Sequence, residues 1–462
     1  MKIPALEAAE AAGARTLHAE ALPPLLAFST DTRTIEAGQV FVALRGASYD
    51  GHRFTAEARA RGAAALVVDD PAAVPEGVPA LVVADTTAAY LAFAGAARRR
   101  LGARVVAITG STGKTTTKAF TAQLLERAGS GPVAATAANE NNEIGVAKLF
   151  LGLAPDVAYV VVEFGARHYG EIAPLARVAR PHVAVLTNVG DAHLEIMGSP
   201  QRLAETKWGI FSTGALAVLN ARDAVSRERA ASLERPATWF AARAGDEPDG
   251  LPRGAREVAL AGDEWLVVRE RGGERRFRTR LRIPGEHNRA NAAAAAAAAL
   301  ESDVGAERLA EALGRLALPP GRYERIELGE VAMIFDAYNA SMAGTIATLE
   351  SFAREPAWRR IAILGSMAEL GAGAPEMHAR VGAAAAAAGL ELLLVGGDFA
   401  AELAAGAREG GLPAERIVPF ERNAEAAGWL RANLRPGDVV LLKASRKYKL
   451  EEIVEDLRAA RA

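Results

Sequence analysis

Short apolar runs recur along the chain, and segments with a helical spacing of apolar residues separate them. In the middle of the chain these runs predict strands that are buried in a parallel sheet. The predicted strands are Arg104–Thr109, Tyr159–Val162, Val183–Thr187 and Leu216–Leu219. A helix predicted from Thr115 to about Ala128 follows the first strand and ends at Gly129. Alternation of strands and helices indicates βαβ units.

The same alternation extends toward both ends of the chain. Near the start, a predicted helix at Phe54–Arg61 accompanies strands at Val40–Leu44, Ala64–Val68 and Ala80–Val83. Beyond a natural hinge at Pro319-Pro320-Gly321, the predicted strands are Val331–Phe335, Ile361–Leu364, Leu392–Val395, Ile417–Phe420 and Val439–Leu442. We therefore predict an α/β protein with three domains: a small α/β domain at 1–98, a central parallel sheet at 99–318, and a Rossmann-like doubly wound domain at 319–462.

Two segments differ from this alternation. Residues 257–283 contain two β-rich stretches around Arg271-Gly272-Gly273-Glu274, a hairpin signal that predicts an antiparallel edge on the central sheet. The run Ala292–Ala299 is short and only weakly hydrophobic. We interpret it as a tightly packed buried helix.

Composition narrows the kind of protein. A chain of 462 residues is too long for one hydrophobic core. A net charge of −2 provides no global basic field, so we expect no nucleic-acid partner. The absence of cysteine excludes disulfides and thiolate metal sites, and it fits a reducing cytosol. The N-terminus lacks the apolar core of a signal peptide and no apolar run is long enough to span a bilayer, so we expect a cytoplasmic protein without membrane insertion.

A glycine-rich loop, Thr109–Thr116, joins the first central strand to its helix. Glycines let consecutive N–H groups turn toward phosphate oxygens, and the helix adds the positive end of its dipole. Lys114 would reach the terminal phosphates, and the Thr115 hydroxyl would bind Mg²⁺ in a P-loop ATPase-like domain. The strict P-loop pattern requires glycine where Ile108 stands, so an ordinary glycine-rich turn is the alternative. The residues predicted to contact ATP here are Gly110, Ser111, Thr112, Gly113, Lys114, Thr115 and Thr116.

Candidate metal ligands follow two of the predicted strands. Glu163 ends the strand Tyr159–Val162, where a carboxylate can bind a cation or, alternatively, cap the loop at Gly165. His193 follows a neighbouring strand, although a single histidine is more often structural. Lys207 lies on a predicted helix, and its spacing alone indicates an exposed lysine.

Two asparagine-rich stretches stand out: 139–145, which is too polar for a core strand, and 285–291, which opens the alanine-rich helix. The amides of Asn141 and Asn142 suit hydrogen bonds to a polar substrate or a phosphate. Asn288 stands at the start of the alanine-rich helix, where the alternative is an N-cap.

In this order, the segments resemble the Mur ligase family over nearly the whole chain. The resemblance implies ATP-dependent formation of an amide bond, two Mg²⁺ ions, and catalytic roles for Lys114, Lys207, His193 and Arg322. It assigns Glu163 and His193 to the second Mg²⁺ and implies that Lys207 is carbamylated, which turns a cation into a metal-binding anion. It also implies further ATP contacts from Asn288, Asn291, Arg322, Asp336 and Tyr338.

The N-terminal segments look like a uridine-nucleotide-binding domain, and the paired asparagines favour the MurF type of the family. This type implies a monomer that joins D-Ala-D-Ala to UDP-MurNAc-tripeptide. The substrate-binding residues implied by the resemblance are Thr30, Asp31, Arg33, Arg45, Gly46, Asp50, His52, Asn141, Asn142, Lys443, Ser445 and Arg446.

Three residues of the third predicted domain depart from the family pattern. These are Ser341, Ser366 and Ala444, which stand where asparagine, aspartate and glycine are usual. They leave two alternatives open: a MurE-type or other Mur ligase that uses a different amine, and a non-catalytic nucleotide-binding regulator that descends from a ligase.

Overall fold

The structure is a computed structural model that describes residues 1–46, 49–138, 140–190, 194–243, 256–270 and 273–460. Within these residues the chain forms a five-stranded, a nine-stranded and a six-stranded sheet, together with one two-stranded pair. Helices pack against the three large sheets, so the α/β class predicted from the sequence is confirmed.

The N-terminal region contains the five-stranded sheet and the two-stranded pair. The pair is β1 (Ile3–Pro4) with β3 (Leu25–Leu26). The strands of the sheet are β2 (Arg15–Leu17), β4 (Phe28–Ser29), β5 (Val40–Val42), β6 (Ala65–Val68) and β7 (Ala80–Val82), and the helices of the region are α1 (Ala5–Ala12), α2 (Thr55–Ala60) and α3 (Thr86–Arg99). The order is β2-β7-β6-β5-β4, and only β2 pairs antiparallel. The helix predicted at Phe54–Arg61 begins at Thr55, because a 3₁₀ turn at Gly51–Phe54 precedes it.

The central region is built on the nine-stranded sheet. Its strands are β8 (Arg104–Thr109), β9 (Val133–Ala135), β10 (Tyr159–Glu163), β11 (Val183–Leu186), β12 (Leu216–Asn220), β13 (Thr238–Ala241), β14 (Arg256–Ala261), β15 (Trp265–Glu270) and β16 (Gly273–Arg278). Its helices are α4 (Lys114–Ala128), α5 (Glu143–Gly152), α6 (Ile172–Ala179), α7 (Leu194–Met197), α8 (Pro200–Trp208), α9 (Ala224–Arg229), α10 (Glu286–Leu300) and α11 (Ala306–Leu313).

Strand β8 lies between β10 and β11, in the order β16-β15-β14-β13-β12-β11-β8-β10-β9. The chain therefore places β9 and β10 on one side of β8 and β11 to β13 on the other. A crevice opens beyond the carboxyl ends of the strands at such a switch point. The loop that follows β8 lies at this crevice.

The sheet ends in the predicted antiparallel edge, with one difference. The first β-rich stretch contains two strands, β14 and β15, which turn at Gly262 with φ +63°. The second contains β16, which pairs antiparallel with β15. Arg271 and Gly272 of the predicted hairpin turn lie outside the described residues.

The C-terminal region contains the six-stranded sheet, in the order β17-β18-β22-β19-β20-β21. Its strands are β17 (Glu324–Leu328), β18 (Val331–Phe335), β19 (Arg359–Leu364), β20 (Leu392–Gly396), β21 (Ile417–Phe420) and β22 (Asp438–Lys443), and its helices are α12 (Met342–Phe352), α13 (Ala374–Ala387), α14 (Ala400–Glu409), α15 (Asn423–Asn433) and α16 (Glu451–Ala459). The five predicted strands are present. The antiparallel edge strand β17 had no clear sequence signal.

Helix α10 confirms the interpretation of the alanine run. All eight residues of Ala292–Ala299 are buried, and the helix packs against α4 and the central sheet. Small side chains allow this close approach, which brings the first turn of α10 next to the loop after β8. Among the described residues, no helix combines the length and apolar character that crossing a bilayer requires.

Close helix packing predicts a stability difference between two glycines of the C-terminal region. In α14, a Cβ on Gly406 would lie 1.9 Å from the backbone oxygen of Ala379 on α13. Gly406→Ala should therefore destabilise the protein by about 1–3 kcal/mol through overpacking.

Gly428→Ala on α15 is the matched control, because its Cβ would meet only a flexible arginine nitrogen at 3.6 Å. It should be neutral or stabilise by up to about 1 kcal/mol. Urea unfolding followed by tryptophan fluorescence measures both variants. Equal transition midpoints for the two would contradict the predicted packing constraint.

Candidate active site

The loop after β8 requires glycine at two positions. Gly110 has φ +150° and Gly113 has φ +80°. A Cβ on Gly110 would lie 1.9 Å from the Thr187 hydroxyl oxygen, and one on Gly113 would lie 2.4 Å from the side-chain oxygen of Asn291. Both the backbone conformation and the close neighbours therefore exclude a side chain. The alternative of an ordinary glycine-rich turn does not explain these two contacts from separate elements.

The end of β11 holds the loop in place. Ser111 N–H donates to the Asn188 carbonyl at 2.9 Å, and Thr187 Oγ1 donates to the Thr112 carbonyl at 2.6 Å. The Asn188 amide donates to Thr112 Oγ1 at 2.9 Å. These contacts fix the loop before any ligand binds, which reduces the entropy lost on binding.

Two lysines converge on one carbonyl of this loop. Lys114 Nζ donates to the Gly110 carbonyl at 2.8 Å and to the Ser111 carbonyl at 3.2 Å. Lys207 Nζ, from helix α8, donates to the same Gly110 oxygen at 3.1 Å. Lys207 is 1 % exposed, so the exposed lysine indicated by spacing alone is wrong. Its helix is predicted correctly, but the face that turns inward is set by tertiary packing.

Burial changes the charge balance of these two lysines. It lowers the pKa of Lys207 well below its ordinary value, and the neighbouring charge of Lys114 lowers it further. Burial also lowers the pKa of Lys114, which the Glu163 carboxylate opposes and Arg322 reinforces. A positive pair without enough negative charge around it is suited to bind an anion.

Glu163 lies beside the loop at the carboxyl end of β10 and is 1 % exposed. Its Oε1 accepts from the Asn141 amide at 2.9 Å and from Thr115 Oγ1 at 3.4 Å. Its Oε2 has no hydrogen bond. The alternative of a cap at Gly165 is wrong, because Gly165 N–H donates to the Asn141 carbonyl at 2.8 Å. A carboxylate oxygen without a donor, beside a threonine hydroxyl, fits an oxygen-preferring cation such as Mg²⁺.

Lys118 is a site residue that the sequence analysis missed. It is 5 % exposed, and its Nζ lies 3.6 Å from Glu163 Oε2, which is an ion pair too long for a hydrogen bond. Burial lowers the pKa of Lys118, while the charge of Glu163 acts in the opposite direction. The available signal was its spacing, since it follows Lys114 by four residues and shares its helix face.

Helix α10 contributes the next group of predicted residues. It begins at Glu286 after Gly285, so the N-cap alternative for Asn288 is wrong. Asn288 instead donates to the Pro284 carbonyl at 3.0 Å, and Asn291 accepts from Thr117 Oγ1 at 3.3 Å. Asn291 thereby links α10 to the helix that follows the loop.

His287 is partly buried, and desolvation lowers its pKa to about 4, so it is neutral near pH 7. Its Nδ1 has no hydrogen-bond partner.

The C-terminal region places four predicted residues next to one another. The Arg322 guanidinium lies over the Tyr338 ring at 4.3 Å, which is a cation–π contact. Asp336 pairs with Lys443 Nζ at 2.9 Å and accepts from Thr348 Oγ1 at 2.6 Å. Burial opposes ionisation of Asp336, but these partners hold its pKa below the usual value. Burial lowers the pKa of Arg322, while the carboxylates of Asp336 and Glu163 raise it.

The predicted residues of the N-terminal region form a separate cluster. Asp50 Oδ1 lies 2.7 Å from His52 Nδ1, and Asp69 N–H donates to His52 Nε2 at 3.1 Å. Arg45 pairs with Asp69 at 2.8 Å. The remaining predicted residues are the exposed pair Asp31 and Arg33, whose charged atoms lie 2.7 Å apart, together with Thr30 and Gly46.

The three residues of the C-terminal region that depart from the family pattern each make local contacts. Ser341 caps α12 by accepting from Gly344 N–H at 3.3 Å. The fully buried Ser366 accepts from Phe399 N–H at 2.8 Å. Ala444 is fully buried in the core of the C-terminal region, where its Cβ occupies the space that a side chain on Gly365 would need, because a Cβ on Gly365 would lie 2.7 Å from it.

Two more predicted residues lie near these positions. Ser445 Oγ accepts from Ala368 N–H at 2.9 Å, and the exposed Arg446 pairs with Glu451 at 2.7 Å. His193 lies outside the described residues, as does Asn139.

Comparison with known proteins bears directly on this arrangement. Three family profiles match: Mur ligase family, catalytic domain, at residues 27–97; Mur ligase middle domain at 108–299; and Mur ligase, glutamate ligase domain, at 321–446. A relative from Synechocystis, named UDP-N-acetylmuramoyl-tripeptide--D-alanyl-D-alanine ligase, is 36 % identical over 93 % of this chain and 91 % of its own. This chain belongs to the Mur ligase family.

Other relatives and solved structures that resemble this Mur ligase are of the MurF type. The Escherichia coli protein with the same name is 34 % identical over 94 % of this Mur ligase and 93 % of its own chain. A crystal structure of MurF from Acinetobacter baumannii has a TM-score of 0.85 at 28 % identity and covers 99 % of both chains. A structure of MurF from Thermotoga maritima in complex with ADP has a TM-score of 0.78 at 27 % identity, covering 94 % of this chain and 97 % of its own.

The loop geometry of the Mur ligase predicts the effect of one substitution. Gly113→Ala forces a positive φ on alanine and drives its Cβ into Asn291, so the loop must open. ADP affinity measured by isothermal titration calorimetry should fall by about tenfold or more, which corresponds to about 1.4 kcal/mol or more. Gly102→Ala, where a Cβ meets nothing within 4 Å, is the control and should bind ADP normally. Unchanged ADP affinity in Gly113→Ala would contradict the assignment of this loop to the nucleotide site.

Proposed function

We propose that this Mur ligase uses ATP to join D-alanyl-D-alanine to UDP-N-acetylmuramoyl-tripeptide in the synthesis of the peptidoglycan precursor. The observation that carries the proposal is the convergence of Lys114 and Lys207 on the Gly110 carbonyl beside the buried Glu163. Support for these substrates comes from the relatives named UDP-N-acetylmuramoyl-tripeptide--D-alanyl-D-alanine ligase, two of which are 36 % and 34 % identical over more than nine-tenths of the chain.

The chemistry explains why cations must converge there. A carboxylate is a poor electrophile, so the terminal phosphoryl group of ATP is transferred to the tripeptide carboxylate. This step forms an acyl phosphate and releases ADP. The amine of D-alanyl-D-alanine then attacks the acyl carbon, phosphate leaves, and the nitrogen loses a proton. Two anions meet in the first step, and Lys114 and Arg322 reduce their repulsion.

The residues around Glu163 fit magnesium. Thr115 and Glu163 would hold one ion, and Glu163 would share a second ion with His193 and a carbamate on Lys207. Bound magnesium would neutralise phosphate charge during transfer. The two-ion arrangement rests on the Glu163 oxygen that accepts no hydrogen bond and on the family resemblance.

The environment of Lys207 supports its carbamylation. Burial lowers the pKa of Lys207, which increases the uncharged fraction of its amine, and an uncharged amine reacts with CO₂. An N–C bond forms, one proton is released, and the product is an anion. That anion would lie beside Lys114 and would end the repulsion between the two ammonium groups.

Both the central and the C-terminal regions would bind the nucleotide. Lys114 belongs to the central region, while Arg322, Asp336 and Tyr338 belong to the C-terminal region. We propose the domain limits 1–98, 99–318 and 319–462, with the first domain binding the uridine nucleotide and the third binding the dipeptide. Residues assigned to the substrates are Thr30, Asp31, Arg33, Arg45, Gly46, Asp50, His52, Asn141, Asn142, Lys443, Ser445 and Arg446. We also propose that the protein is a monomer and that it acts in the cytoplasm.

The alternatives have less support. A structure of the diaminopimelate-adding ligase shares only 18 % identity and a TM-score of 0.54, which shows the fold alone. The three residues that suggested a regulator are accommodated by the fold, as a helix cap at Ser341, a buried hydrogen bond at Ser366 and core packing at Ala444.

An acceptor screen tests the proposed function. ADP release should require UDP-MurNAc-tripeptide together with D-alanyl-D-alanine, and UDP-MurNAc-dipeptide should not replace the tripeptide. In Lys114→Ala, release should fall by at least about 10³-fold, because phosphoryl transfer loses its positioned cation. The exposed Lys148→Ala is the matched control and should retain activity. Release with the dipeptide and diaminopimelate would favour the MurE type, and no release with any amine would favour the regulator.

Substitutions at Lys207 separate a cation from a carbamate. Lys207→Ala should lose activity and partly regain it with formate or acetate, which can supply the missing anion. Lys207→Arg retains positive charge but cannot form the carbamate, so it should be inactive. Activity is measured as phosphate release, and ¹³C NMR after ¹³CO₂ addition should show a carbamate signal only in the wild type. Normal activity in Lys207→Arg would refute the anionic role.

A further inference from the structure

Lys118 connects two parts of the site that are far apart in sequence. Its ammonium donates to the Thr136 carbonyl at 2.8 Å and to the Ala138 carbonyl at 3.0 Å. It also pairs with Glu163 Oε2 at 3.6 Å. Two of the three ammonium hydrogens are therefore donated to these carbonyls, and the carboxylate adds an ion pair.

The two carbonyls belong to a segment that carries the paired asparagines. We call Thr136–Ala138 together with Glu140–Asn142 the asparagine segment. Glu163 N–H donates to Thr136 Oγ1 at 3.0 Å, and the Asn141 amide donates to Glu163 Oε1 at 2.9 Å. The segment and the carboxylate therefore contact each other directly as well as through Lys118.

The burial of these contacts makes the loss of Lys118 costly. Lys118 is 5 % exposed and Glu163 is 1 % exposed, so their ion pair is poorly screened by water. Removing one partner of a buried pair leaves an uncompensated charge, which is far more costly than losing a surface pair. Loss of Lys118 would also leave the carbonyl of the buried Thr136 and that of Ala138 without this donor.

We propose that Lys118 is a positioning residue that anchors the asparagine segment beside Glu163, so that the segment is placed for the acceptor substrate while the lysine competes with a bound cation for the carboxylate. It acts through Glu163 and Asn141, and this inference rests on the proposed function. Its position one turn beyond Lys114 places it on the same rigid helix as the phosphate loop.

Lys118→Met should move two binding constants in opposite directions. The asparagine segment loses its anchor, so affinity for UDP-MurNAc-tripeptide should fall by about tenfold or more. Glu163 loses a competing cation, so affinity for Mn²⁺ in the ADP complex should stay equal or rise. Calorimetry measures the first and Mn²⁺ EPR the second, both without turnover. A merely structural lysine would weaken both affinities together, and that result would overturn the proposal.

Lys148→Met is the matched control, because exposed Lys148 pairs with Glu140 of the same segment. Both of its affinities should remain within about twofold of the wild type. If Lys118→Met does not fold, Lys118→Met/Glu163→Gln removes both buried charges and should still bind the tripeptide substrate weakly. Wild-type affinity for UDP-MurNAc-tripeptide in Lys118→Met or in Lys118→Met/Glu163→Gln would refute the role of Lys118. A wild-type protein that does not bind UDP-MurNAc-tripeptide would instead refute the proposed function.

Discussion

Four cationic side chains lie around the loop after β8 and the buried Glu163 carboxylate at the end of β10. Lys114, Lys118, Lys207 and Arg322 all lie near Glu163 or near one another, and burial lowers the pKa of each cation. Concentrating positive charge away from water costs free energy unless negative charge compensates it. The carbonyl dipoles of the loop compensate part of it, and a triphosphate would compensate the rest. The site is therefore arranged for an anion before the anion arrives, which is how electrostatic preorganisation promotes phosphoryl transfer.

Close packing around the loop makes this arrangement possible. Gly110 allows the Thr187 side chain to approach, and Gly113 allows Asn291 to approach from α10. The approach of α10 depends in turn on the alanine run Ala292–Ala299, which lets the helix lie tightly against α4 and the sheet. The hydrophobic core and the phosphate loop are thus parts of one packing constraint, and the small residues of both are required for the same reason.

This dependence explains which features could be predicted from sequence. The loop at Thr109–Thr116 is a local pattern of strand, glycines and helix, so its position could be predicted together with the central strands. The burial of Lys207 could not be predicted, since it depends on α8 packing against a loop 97 residues away in sequence. The contacts of Lys118 also require the fold to bring β9, β10 and α4 together. The cap of helix α10 is Gly285, which has φ +87° and lies three residues before the suggested cap at Asn288.

Arg322 belongs to the C-terminal region but contributes positive charge to the phosphate loop of the central region. Arg322 follows Gly321, whose φ of +71° turns the chain into the C-terminal region. Its guanidinium is held over Tyr338, yet its charge still influences Lys114 and Glu163 in the central region. If the two regions separated, the phosphate loop would lose this cation and water would enter the site. Because an acyl phosphate is prone to hydrolysis, the arrangement that completes the positive charge is also the one that must exclude water. Closure around the nucleotide would therefore satisfy both requirements in a single movement.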